Sequence, residues 1–463
     1  MRLTTLLTSA LVLTVSVRAQ PPLRPVVEVE EDVYTYQPAD NGAGPLWCYG
    51  STCLVRVGQD VLISGLETLP GVQPLNNVRW MLLRRTDGKW EVQQRDEKGR
   101  TREPCPLACF PHGSIFLSAN PTLTGSEALA GPAQPQVLAF STRNLLAPHQ
   151  VLIPTWQGNP TFTEHSYRAF AADGPQRELI LLNILGHECY HWSFRNRAGN
   201  WSAQGRLAFP WGADYEQPQS IRLCYPEIVL QDRAVHFLGV SDIVEPVKAW
   251  RDYKRQLTGR EWDYDFRRLF YTWTPDITKK PFANWLEVAS REATCGWITN
   301  LDLWVAPDGT AHLLWLEKSL DQRLREKFFP NERLTIALQH CTIRSGEIAD
   351  RQTLHIGGEG ESSEIPGQGR FHVTRNGRLF VLYYVSGTDE KGNRLSENRL
   401  LEIYPERRHS APLRVDLKCP FTNFFTATTR GGTRPSDIID LYGDAAGAAP
   451  NTLRYARIRL APG

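Results

Sequence analysis

Between positions 165 and 201 the chain reads HSYRAFAADGPQRELILLNILGHECYHWSFRNRAGNW, its densest run of reactive side chains. Two chemistries fit it. His187-Glu188-Cys189-Tyr190-His191 matches His-Glu-x-x-His. On a helix the two histidines share a face, where His187 and His191 could hold a zinc ion while Glu188 activates a water. Asp173 could cap such a helix, Pro175 suits its first turn and Glu178 its positive end. The other reading makes the run a strand (167–172), a turn (173–177) and a strand (178–185). His187, Cys189 and His191 then share one face of an extended chain. Only one of these can hold, and the rest of the chain has to choose.

The zinc reading needs a third ligand. The longer metzincin spacing fails, because Phe194 and Arg197 stand where Gly and His are required. Glu216 follows in a Pro-flanked segment without helical periodicity.

Elsewhere the pattern is that of strands. A unit of apolar strand, tight polar turn and apolar strand appears at 53–67 and 108–120. It returns at 167–184, 224–240, 301–317, 370–386 and 424–444. Gly-Gln-Asp, Pro-Asp-Gly, Arg-Asn-Gly and Gly-Gly in the turns are hairpin chemistry. More polar strand pairs follow, at 78–94, 190–207, 334–356 and 398–417. Four strands per unit, about 54 to 77 residues apart, is the spacing of propeller blades. The expectation is an all-β, seven-bladed β-propeller in one domain over 20–463. The last unit has a single further strand, 452–460, and 26–36 at the other end can pair with it to close the ring. Charged insertions at 248–265 and 320–331 read as rim loops with short helices. The opening run is in register as the third unit.

Composition agrees. The 463 residues include 14 Trp, 15 Tyr and 18 Phe, with Gly and Pro spread throughout, which suits a turn-rich β protein. A formal charge of +2 with no basic run argues against nucleic acid as a partner. Arg2, the apolar run 3–17 and Val17-Arg18-Ala19 read as a cleavable signal peptide over 1–19. The expectation is a secreted or periplasmic monomer with no membrane span after cleavage. All nine cysteines follow that segment; Cys48/Cys53 and Cys105/Cys109 are near enough in sequence to bridge locally.

Read as strands, the run 165–196 resembles a BNR-type blade (sialidase superfamily) of the propeller-fold ulvan lyases and related secreted polysaccharide-degrading propellers. Those proteins carry one His before the first strand of a blade and a second just after the next strand, followed by an aromatic/Phe-Arg stretch. Here His165 and His187 take those places, and Trp192-Ser193-Phe194-Arg195 follows. The family opens the next blade with Thr-Tyr-Pro, where this chain has Cys224-Tyr225-Pro226. It then places an Arg at the end of the following strand, where this chain has Val240-Ser241-Asp242. Arg222, three residues before Tyr225, is the substitute within reach. The resemblance covers about 164–242.

It implies β-elimination on a uronate polysaccharide. Such a reaction must neutralise the C5 carboxylate, take the C5 proton and protonate the departing oxygen. His165, His187 and Tyr225 would be the catalytic set. Arg222 and Arg195 would hold anionic groups, with Trp47 and His112 as further substrate contacts. No cofactor is required, and a structural metal ion of unspecified identity is compatible with the stray Cys and His. Other readings stand beside this one. A sialidase- or rhamnosidase-like glycoside hydrolase shares the fold class, but its Ser-x-Asp-x-Gly-x-x-Trp boxes survive only in degraded form at 85–90 and 193–201, and there is no Arg-Ile-Pro start. A non-catalytic glycan- or protein-binding propeller and the zinc metallopeptidase complete the set.

Overall fold

The computed structural model describes residues 21–389, 391–404 and 411–463. The signal-peptide segment expected at 1–19 lies outside the described residues. Seven four-stranded antiparallel sheets follow one another along the chain. Their first strands are Leu54–Val57, Leu107–Phe110, Ala169–Asp173, Leu223–Gln231, Trp297–Val305, Glu364–Val373 and Phe421–Thr426. First strands of neighbouring sheets touch around a common axis. The protein is a seven-bladed β-propeller, and the blades are numbered here in that order. Every expected unit falls on the two inner strands of a blade.

Local chemistry explains the hairpins. Gly309 and Gly377 end the Pro-Asp-Gly and Arg-Asn-Gly turns with φ of 82° and 75°, a region that costs glycine little. Burial on two sides explains the apolar runs. Glu178–Leu185 is buried along nearly its whole length. Ile180, Leu182 and Ile184 pack against Ile228 and Phe237 of blade 4. Leu179 and Leu181 face Phe110 and Phe116 of blade 2. A helix cannot present consecutive residues to two opposed neighbours, whereas a strand does so by alternation.

That alternation decides the opening run. Glu178–Leu185 and Cys189–Arg195 are hydrogen-bonded partners, from Leu179↔Arg195 to Leu185↔Cys189, with 186–188 as the turn. His187 is therefore exposed on a turn while His191 is buried within a strand. The zinc-peptidase reading is corrected: the helix that would put both histidines on one face is absent. Among the described residues, no group of three His, Cys, Asp or Glu is set to hold a metal ion. The local disulfides do not form either. All nine cysteines are free, eight of them buried. Cys109 lies within the strand Leu107–Phe110 and Cys105 precedes it, and both thiols are free. Burial pushes the Cys53 and Cys109 thiols up to about 12.

The ring closes as expected. Blade 7 takes its outermost strand, Leu23–Thr35, from the opposite end of the chain, paired with Thr452–Pro462 from Leu23↔Pro462 to Thr35↔Thr452. The centre is filled. Arg370 donates to the carbonyls of Phe424 (3.1 Å), Tyr49 (3.0 Å) and Leu301. Arg430 donates to Asp302 (3.0 Å) and to the Gly50 carbonyl. The segment around Gly50 thereby plugs the channel beneath one mouth. A Cβ on Gly50 would sit 2.2 Å from the Pro226 carbonyl oxygen. The charged insertion at 248–265 contributes the helix Lys248–Thr258. No helix among the described residues is long and apolar enough to cross a membrane.

Buried histidines give the packing a pH limit. His236 meets Tyr271 Oη at 2.6 Å, and His372 Nε2 donates to the Ser436 carbonyl at 2.7 Å. Burial holds both down to about 4. Both are neutral in either state at pH 7. Below the unfolded value of about 6.5 only the unfolded chain takes up the protons, so stability is lost as pH falls from there towards 4. At pH 4.5 each should cost about 2–3 kcal/mol relative to pH 7. Urea denaturation at the two pH values checks this, and His372→Gln should recover its share. An unchanged pH difference in that variant would overturn the assignment.

Candidate active site at the channel mouth

Antiparallel order assigns residues to rims. The start of a blade's first strand, the end of its second and the turn into its third share one rim; the turn between first and second strands lies on the other. His165 and Tyr167 lead into blade 3, and His187 sits in the turn after its second strand. Arg222 immediately precedes blade 4, and Asp242 directly follows its second strand. Trp47 leads into blade 1 and Glu103 into blade 2. All belong to the mouth that Gly50 closes from below.

Tyr225 reaches the mouth through a bulge. The register of blade 4 slips between Cys224 and Glu227, and Tyr225 has φ of 48°. That region is unusual for an aromatic residue and persists where neighbours hold it. Here Asn300 Nδ2 donates to the Tyr225 carbonyl at 2.7 Å. The ring stacks on Tyr49 (4.7 Å, 16°) and meets Tyr167 edge-on (5.3 Å, 75°). Trp47 stacks on Tyr167 at 5.0 Å and contacts both His165 (5.8 Å) and Tyr225 (5.9 Å). Trp47 is thus half-buried, a wall of the site rather than a free platform.

Arg222 links the rest. Its Nη2 lies 2.7 Å from Asp242 Oδ2 and its Nε donates to the Asp242 carbonyl at 3.0 Å. Its Nη1 is 3.2 Å from His187 Nε2, and the guanidinium covers the Tyr264 ring at 5.3 Å. Two nitrogens are committed to Asp242, so the edge towards His187 is the one facing the mouth. His165 Nδ1 lies 3.2 Å from Arg102 Nη1 and 3.4 Å from Glu103 Oε1. Glu103 also accepts from Ser166 N (2.9 Å) and Oγ (2.6 Å).

These contacts set the protonation states. Partial burial, the Arg222 charge and His165 hold the His187 imidazole below its ordinary value, so it is a free base at neutral pH. Burial, reinforced by Cys224 and Asp242, holds the Tyr225 phenol well above its ordinary value. The same is true of Tyr167, by burial first and then by Cys224 and Asp242. Burial raises Asp242 while Arg222 pulls it back. Tyr225 therefore carries its proton at neutral pH and can give it only to a more basic oxygen.

His165, His187, Tyr225, Arg222 and Trp47 converge. His112 and Arg195 do not. His112 is exposed in the turn between the first two strands of blade 2. Arg195 ends the third strand of blade 3, 6.0 Å from the Phe116 ring centre. Both lie on the opposite rim. Sequence reasoning missed Tyr167, Glu103 and Asp242. Tyr167 stood two residues from His165, and Asp242 was legible as an acid at a strand end where a cation was sought.

No family model matches the chain, and no curated protein matches it. Among solved structures it is similar to an ulvan lyase of polysaccharide lyase family 25 bound to -[GlcA(1-4)Rha3S]-, with TM-score 0.50 and 9% identity over 94% of this chain and 96% of that one. It is also similar to polysaccharide lyase Uly1 (TM-score 0.49, 12% identity, 96% and 98% covered). An α-L-arabinofuranosidase from Fusarium graminearum aligns with TM-score 0.44 and 10% identity over 94% and 98%. Identities this low establish a shared propeller fold.

Proposed function

We propose that this mouth binds an anionic, uronate-containing polysaccharide and cleaves it by β-elimination. The observation that carries the reading is the 3.2 Å separation of Arg222 Nη1 and His187 Nε2. In a uronate the acidic C5 proton sits beside the carboxylate, so a carboxylate-binding cation and a free base must be neighbours. Arg222 Nη1, which donates to His187 Nε2 in the free protein, turns to the carboxylate, and the Nε2 lone pair so released takes the C5 proton. The C5–H electrons form the C4=C5 double bond as the C4–O4 bond breaks. Tyr225 protonates the departing oxygen, and His187 returns its proton to solvent as Tyr225 is recharged. His165, anchored by Glu103 and Arg102, binds beside them, and Trp47 bounds the sugar plane. Export through the N-terminal segment and a BNR-type affiliation are part of the same proposal.

Within the cluster, the hydrolase alternative lacks an exposed pair of carboxylates flanking a glycosidic bond. Glu103 and Asp242 are both buried and occupied. The Asp242 bridge, which offsets the Arg222 charge, favours a second reading: a propeller that binds the glycan without cutting it. Incubation with a panel of uronate polysaccharides, followed by the ultraviolet absorbance of the new double bond, tests both. A rising signal on one substrate supports elimination. Retardation by a glycan with no absorbance and no new reducing ends would replace the lyase by the binding module.

A further inference from the structure

A cavity of about 340 Å³ opens on the same rim between blades 4 and 5. Its wall is continuous with the site. Tyr264 lines it and carries the Arg222 guanidinium on its face at 5.3 Å. Phe266 also lines it, stacked on the Tyr225 ring at 6.1 Å and 24°. On its other side Phe266 meets Trp297 at 4.5 Å. Tyr225, Phe266 and Trp297 thus form a row of rings leading from the candidate proton donor into the cavity. Trp297 is 42% exposed and lines the cavity.

The charge is arranged to match. Lys254 and Arg267 line the cavity but are spent on Glu245, at 2.7 Å and 2.8 Å. Arg323 is paired with Asp321 and Asp263. Lys318, directly opposite Trp297 in the strand pair, has no ion pair among the described residues. Gly296 fixes this arrangement, since a Cβ there would lie 2.3 Å from the Lys318 carbonyl oxygen. A ring face beside an uncommitted ammonium suits a pyranose that carries a carboxylate or sulfate ester.

We infer that this cavity holds the sugar unit next to the cleaved one, its ring on Trp297 and its anionic substituent against Lys318. The inference rests on the proposed glycan reading and adds a second binding position that makes longer chains better ligands. Affinity electrophoresis through gels containing ulvan, alginate, polygalacturonate or chondroitin sulfate tests it, using the full chain, Trp297→Ala, Lys318→Ala and Lys318→Glu. Trp297→Ala should weaken retardation by the glycan that binds about tenfold. Lys318→Ala should weaken it several-fold and flatten its salt dependence, and Lys318→Glu should weaken it further. On that glycan's oligosaccharides, Trp297→Ala should raise KM for a hexasaccharide and leave kcat unchanged. Equal retardation of parent, Trp297→Ala and Lys318→Glu, all with unchanged melting temperatures, would overturn the second position while leaving the glycan reading intact. A parent chain retarded by none of the four gels would overturn both.

Discussion

His187→Ala is expected to lower elimination by about three orders of magnitude, the middle of the range for a lost general base. The side chain lies on an exposed turn and contributes nothing to the blade interior, so melting temperature should not move. Glycan retardation should persist. The pH profile is the sharper readout. Because partial burial and Arg222 depress the His187 imidazole, kcat/KM should rise with pH through an apparent value below 6.5 and then level off. The Tyr225 phenol is raised, so no fall should appear until well above pH 10. Arg222→Gln should lower the rate and also move the acidic limb to higher pH, since the cation beside the imidazole is gone. A merely structural Arg222 would leave that limb in place. Full elimination by His187→Ala would remove the assignment of the base.

Removing residues 21–36 should have the largest effect on the fold. Thr452–Pro462 would then present an unpaired edge along its length, the form of edge that drives aggregation. Leu23 and Val27 leave one apolar cluster, and Val29, Val33 and Tyr34 leave another. Tyr34 Oη no longer accepts from the Leu66 amide (3.0 Å), and Glu31 no longer pairs with Arg85 at 2.6 Å. Five half-buried apolar side chains at roughly 1 kcal/mol each place the loss at about 5 kcal/mol, a large share of ordinary domain stability. The chain starting at residue 37 should aggregate or melt far below the parent in sedimentation and calorimetry. A peptide of residues 21–36 added in trans should recover part of the loss by strand addition. An unchanged melting temperature would mean that the ring does not depend on its closing strand.

The opening run shows why some of the site was legible and some was not. His165 and His187 were found through the resemblance, whose pattern places one His before and one after two strands, and antiparallel order then assigns them a rim. The same rule separates His112 and Arg195 from them, but only once each residue's strand is known: Arg195 ends a third strand and His112 sits in a first turn. Trp47 was found as a residue type and Tyr225 through the resemblance, yet their partnership through Tyr167 and Tyr49 joins segments more than a hundred residues apart. Asp242 read as a missing cation and is the group that holds Arg222.

By itself the sequence determined the all-β class, the seven repeats and the closure of the ring. These follow from short-range facts: two-residue alternation, glycine in hairpin turns, and apolar runs that need burial on both faces. The tertiary structure alone decided that Arg222 turns towards His187, that a bulge at Tyr225 aims its ring into the mouth, and that Gly50 plugs the channel beneath. Those outcomes depend on packing between blades and on burial that shifts proton affinities, and no local pattern encodes either.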